Sequence, residues 1–171
     1  MKYCILGSSR SGKDTLGEIF VEELGLKFMA SSEFLSEKVI YPVLSEEYGY
    51  STPMECFNDR HRSNDMRKLW YDLLTAYNSS NKSRLASELL REYDMYIGLR
   101  NIDELNACKD KNLFDIIIWI DAPLRVPLEP STSITVTKED ADIIIENNGT
   151  EEEFITKVKR LIYLISNRRY I

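Results

Sequence analysis

The chain has 171 residues, a length that suits one domain built around a single hydrophobic core. Its composition, 43% hydrophobic and 29% charged, is that of a globular protein and excludes a disordered or collagen-like chain. The formal net charge of -6 argues against nucleic-acid polymers and anionic membranes as partners, and the apolar run 116–120 is too short to cross a bilayer. Three widely spaced cysteines without a CxxC pair signal neither a disulfide framework nor a zinc site, so we expect a cytoplasmic protein.

Short apolar runs, typical of buried strands, alternate along the chain with longer amphipathic runs, typical of helices. In chain order the predicted elements are a strand at 2–6, a helix at 14–24, a strand at 27–30, a helix that begins at Ser31 or Ser32 and is disturbed by Pro42, helices at 63–77 and 82–93, a strand at 95–98, a helix from 101 to about 109, a strand at 114–121, an extended segment at 134–137, a strand at 141–146 and a helix from Thr150. The stretch 45–60 gives no clear pattern. Asn101 and Glu104 stand at capping-box spacing, as do Thr150 and Glu153. The alternation predicts a three-layer α/β domain with a parallel sheet, which binds its ligand at the carboxyl ends of the strands.

The strongest motif follows the first predicted strand and opens the first helix: Gly7-Ser8-Ser9-Arg10-Ser11-Gly12-Lys13. This is the GxxxxGK core of a phosphate-binding loop. Its glycines let backbone N–H groups turn toward phosphate oxygens, the helix N-terminus adds its positive end, and Lys13 reaches the terminal phosphates. The alternative is a glycine-rich turn of purely structural purpose, which the strand, loop, lysine and helix in register disfavour. Asp14 and Thr15 follow the lysine, where a Ser or Thr hydroxyl normally contacts Mg²⁺.

The run GSSRSGKDT resembles the P-loop of bacteriophage-type deoxynucleoside monophosphate kinases, a branch of the adenylate-kinase-like P-loop kinases. The resemblance extends to the basic stretch 59–70, the strand end 96–100, the strand 114–121 and the segment 142–150. It implies a P-loop NTPase fold over a single domain, 1–171, with an acceptor-binding helical region at about 31–93 and a short lid at about 122–136. It also implies transfer of the γ-phosphoryl group of ATP, with Mg²⁺, to a (deoxy)nucleoside monophosphate, and it suggests a viral or prophage origin with the host cytoplasm as the location.

Besides Lys13, the resemblance implies two catalytic arginines. Arg100 matches the arginine that clamps the acceptor phosphate, a task that suits a bidentate guanidinium. The alternative is a surface arginine paired with Asp103 or Glu104. Arg125 falls where the lid of these kinases brings cationic groups over the transferring phosphoryl, and its alternative is a plain loop arginine.

A basic helix lies in the region that recognises the monophosphate in this family. Arg60, Arg62 and Arg67 are candidate ligands there, although Arg62 and Arg67 are five residues apart and would not closely share a helix face. The alternative is a solvated basic face, and His61 is expected to be a surface side chain among basic neighbours. Nearby aromatic residues would stack on the acceptor base or else belong to the core: Trp70, Tyr71 and Tyr77.

The metal and the adenine ring have weaker candidates. Thr15 and Asp14 are expected near Mg²⁺, and Asp121, which ends an apolar strand, is a candidate through water or else a turn residue. The turn that contains Asn148 and Gly149 resembles the adenine side of these kinases, where backbone groups contact the base.

Two rival functions remain open on the sequence. One is a P-loop kinase of another small phosphorylated metabolite; the other is a nucleotide-binding module without transfer activity. The second rival is kept open by Gly98, which stands where the family has a strand-end carboxylate, and by a lid with one arginine. The predicted partners are ATP and a (deoxy)nucleoside monophosphate, with the chain a monomer or homodimer. The stretch 138–154 carries one Lys against seven Asp and Glu, so the acidic surplus lies away from the phosphate loop.

Overall fold

The computed structural model describes residues 1–127 and 134–167, in which a five-stranded sheet lies between two layers of helices. The strands are β1 (Tyr3–Leu6), β2 (Phe28–Ala30), β3 (Met95–Ile97), β4 (Ile116–Asp121) and β5 (Ile143–Glu146). Their order across the sheet is β2-β3-β1-β4-β5, and every neighbouring pair is parallel. Tyr3 of the central strand lies opposite Met95 on one side and Ile116 on the other. The predicted α/β fold with a parallel sheet is confirmed.

The helices divide between the two faces of the sheet. They are α1 (Lys13–Leu24), α2 (Ser31–Leu35), α3 (Tyr41–Tyr48), α4 (Pro53–Asp59), α5 (Asn64–Tyr77), α6 (Arg84–Glu92), α7 (Ile102–Asp110) and α8 (Glu151–Asn167). Tyr3 and Ile5 of β1 pack with the buried residues of α1 and α8, whereas Cys4 and Leu6 pack with those of α2 to α7. Successive side chains of a strand point to opposite faces, so both layers share the central strand as part of their cores.

The region between β2 and α5 differs from the sequence prediction. Pro42 does not disturb the helix; α2 continues through a π-helical turn (Ser36–Ile40) into α3, whose first turn contains the proline. Proline lacks the N–H of a regular helical hydrogen bond and its ring crowds the preceding turn, and the π-helical turn just before Pro42 is the departure from regular α-helical geometry at this place. The stretch without a clear pattern contains α4, whose N-cap Thr52 accepts a hydrogen bond from the Glu55 amide.

The two predicted capping boxes have different outcomes. Thr150 Oγ1 accepts from the Glu153 amide at 3.2 Å, and Glu153 Oε2 accepts from the Thr150 amide at 2.9 Å, so this box is complete. Asn101 Oδ1 caps α7 by accepting from the amides of Asp103 and Glu104. The carboxylate of Glu104, however, turns into the protein instead of back to the cap.

Three smaller features complete the description. All three cysteines are buried and free. Residues 134–137 lie outside the sheet, where the Thr135 amide donates to the Arg100 carbonyl at 2.8 Å. Within the described residues, no helix combines the length and the apolar character that a membrane crossing needs.

Candidate functional site

The phosphate loop connects the carboxyl end of β1 to the start of α1. The backbone angle φ is 139° at Gly7 and 105° at Gly12, values that residues with a side chain rarely adopt. A Cβ atom on Gly7 would lie 2.8 Å from the carbonyl oxygen of Ile120 on the neighbouring strand. Ser8, Ser9 and Arg10 form the outer turn of the loop, while Ser11 is buried beneath it. Both glycines of the motif are therefore required by the geometry of the loop.

The ammonium group of Lys13 lies across this loop. Its Nζ donates to the carbonyl oxygens of Gly7 at 3.0 Å and Ser8 at 2.5 Å. A cavity of about 330 Å³ opens beside it, and we call this the phosphate cavity; its lining includes Arg10, Gly12, Lys13, Asp14, Thr15 and Arg125. Three cationic side chains from two separate segments thus line one cavity at the carboxyl edge of the sheet, which suits a polyphosphate.

Three arginines predicted to bind or clamp the acceptor phosphate come close to one histidine. Burial, together with the charges of Arg60, Arg67 and Arg100, lowers the pKa of His61. His61 Nδ1 accepts a hydrogen bond from Arg67 Nε, at 3.2 Å. We call these residues the arginine cluster. His61 is an exposed side chain among basic neighbours, as expected, and it contacts one of them through this hydrogen bond.

Arg62 belongs to a different environment from its neighbours. Its Nη1 lies 3.2 Å from the carboxylate of Asp59, and its guanidinium lies over the ring of Tyr48. Arg60 stacks at 3.6 Å on the ring of Phe57. The sequence could not predict that Arg60 and Arg62 have different contacts, because these contacts depend on where α4 ends.

Arg60 also connects the arginine cluster to the phosphate cavity. Burial lowers the pKa of Arg60, and the negative charge of Asp14 opposes this effect. Asp14 lines the phosphate cavity. Arg60 therefore lies within electrostatic reach of a residue of the phosphate cavity, as the passage of a phosphoryl group between two bound molecules would require.

A second cavity, of about 230 Å³, opens at the carboxyl ends of β2 and β3. Its lining includes Ser31, Leu35, Tyr71, Leu74, Arg100 and Glu104. Trp70, predicted to stack on a base, is instead buried in the helical core, while its neighbour Tyr71 is exposed at the cavity. Arg100 therefore belongs both to the arginine cluster and to the second cavity.

The floor of the second cavity contains a buried carboxyl group. Glu104 Oε1 accepts a hydrogen bond from the Tyr96 hydroxyl at 2.9 Å, and burial raises the pKa of Glu104 to about 7. The sequence predicted two other roles for Glu104: a surface ion-pair partner of Arg100, or part of the capping box of α7. The signal that could have found it is its place beside Leu105, and one turn before Cys108, on the buried face of α7.

The segment after β4 brings Arg125 to the phosphate cavity. Arg125 Nη1 donates to Asn147 Oδ1 at 2.8 Å, and the amide of Leu124 donates to Asn148 Oδ1 at 3.1 Å. Gly149 follows at the turn into α8. Asn147, the first residue of the turn that the sequence assigned to the adenine side, is thus the contact between Arg125 and the loop after β5. Residues 128–133 of the predicted lid lie outside the described residues.

The candidate ligands for Mg²⁺ are unequally placed. The Asp14 carboxylate and the Thr15 hydroxyl line the phosphate cavity and offer the oxygen atoms that Mg²⁺ prefers. The Asp121 carboxylate points elsewhere, 4.0 Å from Lys138 Nζ. Across the described parts of the chain there is no group of three or more His, Cys, Asp or Glu that could hold a metal ion. The residues fit an ion that is bound mainly by nucleotide phosphates and keeps several waters, which is the usual state of Mg²⁺ in kinases.

No protein-family model and no curated protein matches the sequence. Solved structures do match it: shikimate kinase from Aquifex aeolicus vf5 has a TM-score of 0.52 and 19% identity, covering 98% of both chains. Dephospho-CoA kinase from Campylobacter jejuni has a TM-score of 0.52 and 16% identity, covering 99% of this chain and 100% of that one. Shikimate kinase from Acinetobacter baumannii in complex with shikimate has a TM-score of 0.54 and 14% identity, covering 98% and 93%. At these identities the likeness concerns the fold, and it confirms that the chain has the fold of the P-loop kinases.

Proposed function

We propose that the protein is an ATP-dependent kinase that phosphorylates a (deoxy)nucleoside monophosphate. The observation that carries the proposal is a pair of cavities at the carboxyl edge of the sheet, each lined by cationic side chains. One cavity has the phosphate loop for a nucleoside triphosphate. The other has Arg100 for the phosphate of the acceptor and a partly apolar lining for its base.

The chemistry follows from what each group can hold. The loop amides and Lys13 bind the β and γ phosphates of ATP, while Arg100 and the nearby Arg60 or Arg67 bind the acceptor phosphate. An oxygen of that phosphate attacks the γ phosphorus, the bond from the γ phosphorus to the β,γ-bridging oxygen breaks, and ADP leaves. Arg125 stabilises negative charge on the transferring group. Mg²⁺ held by the nucleotide with Thr15 and Asp14 supplies further charge neutralisation when bound.

A second candidate acceptor is another small metabolite that carries a phosphate. The matched solved proteins are kinases named for shikimate and for dephospho-CoA, so the fold alone does not select the acceptor. The arginine cluster favours an acceptor that is already anionic, because guanidinium groups form charge-assisted hydrogen bonds with phosphate oxygens. The cluster therefore ranks a phosphorylated acceptor above a neutral one.

An acceptor screen tests the proposal. The protein is incubated with MgATP and, separately, each common NMP and dNMP, shikimate and dephospho-CoA, and ADP release is measured with a coupled assay. We expect turnover that depends on one or more monophosphates. Arg100→Lys should raise the KM for that acceptor by tenfold or more, whereas Arg160→Lys on the exposed side of α8 should leave it unchanged. Lys13→Ala should lose both turnover and thermal protection by MgATP. Protection of the wild-type protein without turnover on any acceptor would favour a nucleotide-binding module instead.

A further inference from the structure

We propose that Asn147 is a positioning residue that sets Arg125 against the phosphate loop and so prepares both for the phosphates of ATP. The proposal rests on the proposed function only in taking ATP as the bound polyphosphate. Asn147 directly follows β5 and is 4% exposed. Its backbone amide donates to the carbonyl of Asp121, at the end of the neighbouring β4, at 2.7 Å. The backbone of Asn147 is therefore fixed to the sheet independently of its side-chain contacts.

The side-chain amide of Asn147 contacts both halves of the phosphate cavity. Its Nδ2 donates to the carbonyl of Ser11 inside the loop at 2.8 Å, and its Oδ1 accepts from Arg125 Nη1 at 2.8 Å. The opposite orientation of the amide would place oxygen against oxygen and N–H against N–H. The two partners therefore determine a single orientation, and neither contact can form in the flipped state.

The loop and the amide are also packed too closely to move independently. A Cβ atom on Gly12 would lie only 2.5 Å from Asn147 Nδ2. Movement of the loop at Gly12 would displace the amide, and through it the guanidinium of Arg125. Glycine at this place in the motif thus allows close approach to Asn147 as well as the backbone turn.

The next residue holds the backbone on which Arg125 stands. Asn148 Oδ1 accepts from the Leu124 amide at 3.1 Å, and the Arg125 amide donates to the carbonyl of Ala122 at 3.0 Å. With this turn held, the bond to Asn147 selects the direction of the guanidinium. A guanidinium has five N–H donors, and one of them is given to Asn147. The bond aims the group toward the cavity that it lines together with Lys13.

A double-mutant cycle distinguishes positioning from mere packing. The affinity for MgATP is measured by calorimetry for the wild-type protein, Asn147→Ala, Arg125→Ala and the double variant. We expect Arg125→Ala to weaken binding about tenfold in the wild-type background, as befits a charge-assisted hydrogen bond, and less than about twofold in the Asn147→Ala background. A tenfold loss in both backgrounds, or no loss in the wild-type background, would overturn the proposal. Asn167→Ala, an exposed asparagine at the end of α8, is the control and should leave the effect of Arg125→Ala unchanged.

A second variant covers the case in which Asn147→Ala does not fold. Asn147→Leu keeps the approximate volume but offers no acceptor to Arg125 Nη1 and no donor to the Ser11 carbonyl. The effect of Arg125→Ala on MgATP affinity should again shrink, and an undiminished tenfold effect would count against positioning. The wild-type protein separates the two proposals: failure to bind MgATP defeats both, whereas binding without turnover on any acceptor defeats only the kinase function and leaves the cycle decisive.

Discussion

Replacing Glu104 with glutamine tests the buried carboxyl group below the second cavity. This side chain is 6% exposed, and its Oε1 accepts a hydrogen bond from the Tyr96 hydroxyl at 2.9 Å. Burial disfavours the charged form and raises the pKa of Glu104 from 4.5 to about 7. Glutamine has nearly the same volume, remains neutral at every pH, and can accept the same hydrogen bond through its amide oxygen.

The sign of the effect follows from the direction of this shift. A carboxyl group with a higher pKa in the folded state binds its proton more tightly there than in the unfolded chain. Glu104 therefore contributes most to stability below about pH 4.5, and this contribution is lost as the pH rises from about 4.5 to about 7. The interval between these two values corresponds, at about 1.4 kcal/mol per pH unit, to about 3 kcal/mol. The Glu104→Gln protein should thus be more stable than wild type above pH 7, by up to about 3 kcal/mol, and should differ much less at pH 5.

Denaturant unfolding at pH 5, 6, 7 and 8, followed by the fluorescence of the two buried tryptophans, measures this difference. We expect the stability curves of the two proteins to diverge steadily between pH 5 and 7 and then to run parallel. Asp103→Asn, which removes an exposed carboxyl group from the same helix, is the matched control and should give no such divergence. A constant difference between wild type and Glu104→Gln over the whole range would refute the reasoning, because it would mean that Glu104 titrates alike in both states.

Three further substitutions test the framework around the site. Gly7→Ala should destabilise the protein by about 1–3 kcal/mol and weaken protection by MgATP, because φ is 139 and the added carbon would meet the carbonyl of Ile120 at 2.8 Å; unchanged denaturation and ATP protection would contradict the described loop geometry. Phe20→Ala should cost about 3–5 kcal/mol in denaturant unfolding, since the ring is fully buried between α1 and the sheet, and a cost below about 1 kcal/mol would place it outside the core. Asn101→Ala should cost about 1 kcal/mol through loss of the α7 cap, and Asn101→Asp, which keeps the acceptor oxygen, should recover most of it.

The parts of the fold that could be predicted are those determined by neighbouring residues. The phosphate loop, β1 and α1 are consecutive in the chain, so one motif and its flanking periodicity define them together. The complete capping box at Thr150 is local for the same reason. The prediction that Pro42 disturbs the helix was wrong. The π-helical turn before the proline changes the hydrogen-bond register, and no residue pattern signals that change. Residues 45–60 were unclear because α4 is a short helix whose stability depends on packing more than on propensity.

The site itself depends on contacts between residues that are distant in the chain. Strand β3 lies between β2 and β1 in the sheet although it comes third in sequence, so the residues after β3 meet those after β2. This order puts Arg100 beside a helical region that precedes it by about 40 residues, and it puts Glu104 under a cavity that begins at Ser31. The hydrogen bond from the side-chain amide of Asn147 to the carbonyl of Ser11 joins residues that are 136 positions apart. Motif spacing identifies which residue types can bind phosphate, but only the strand order decides which of them share a cavity. Arg60, Arg67 and Asn147 therefore become distinguishable from Arg62 and Asn148 once the topology is known.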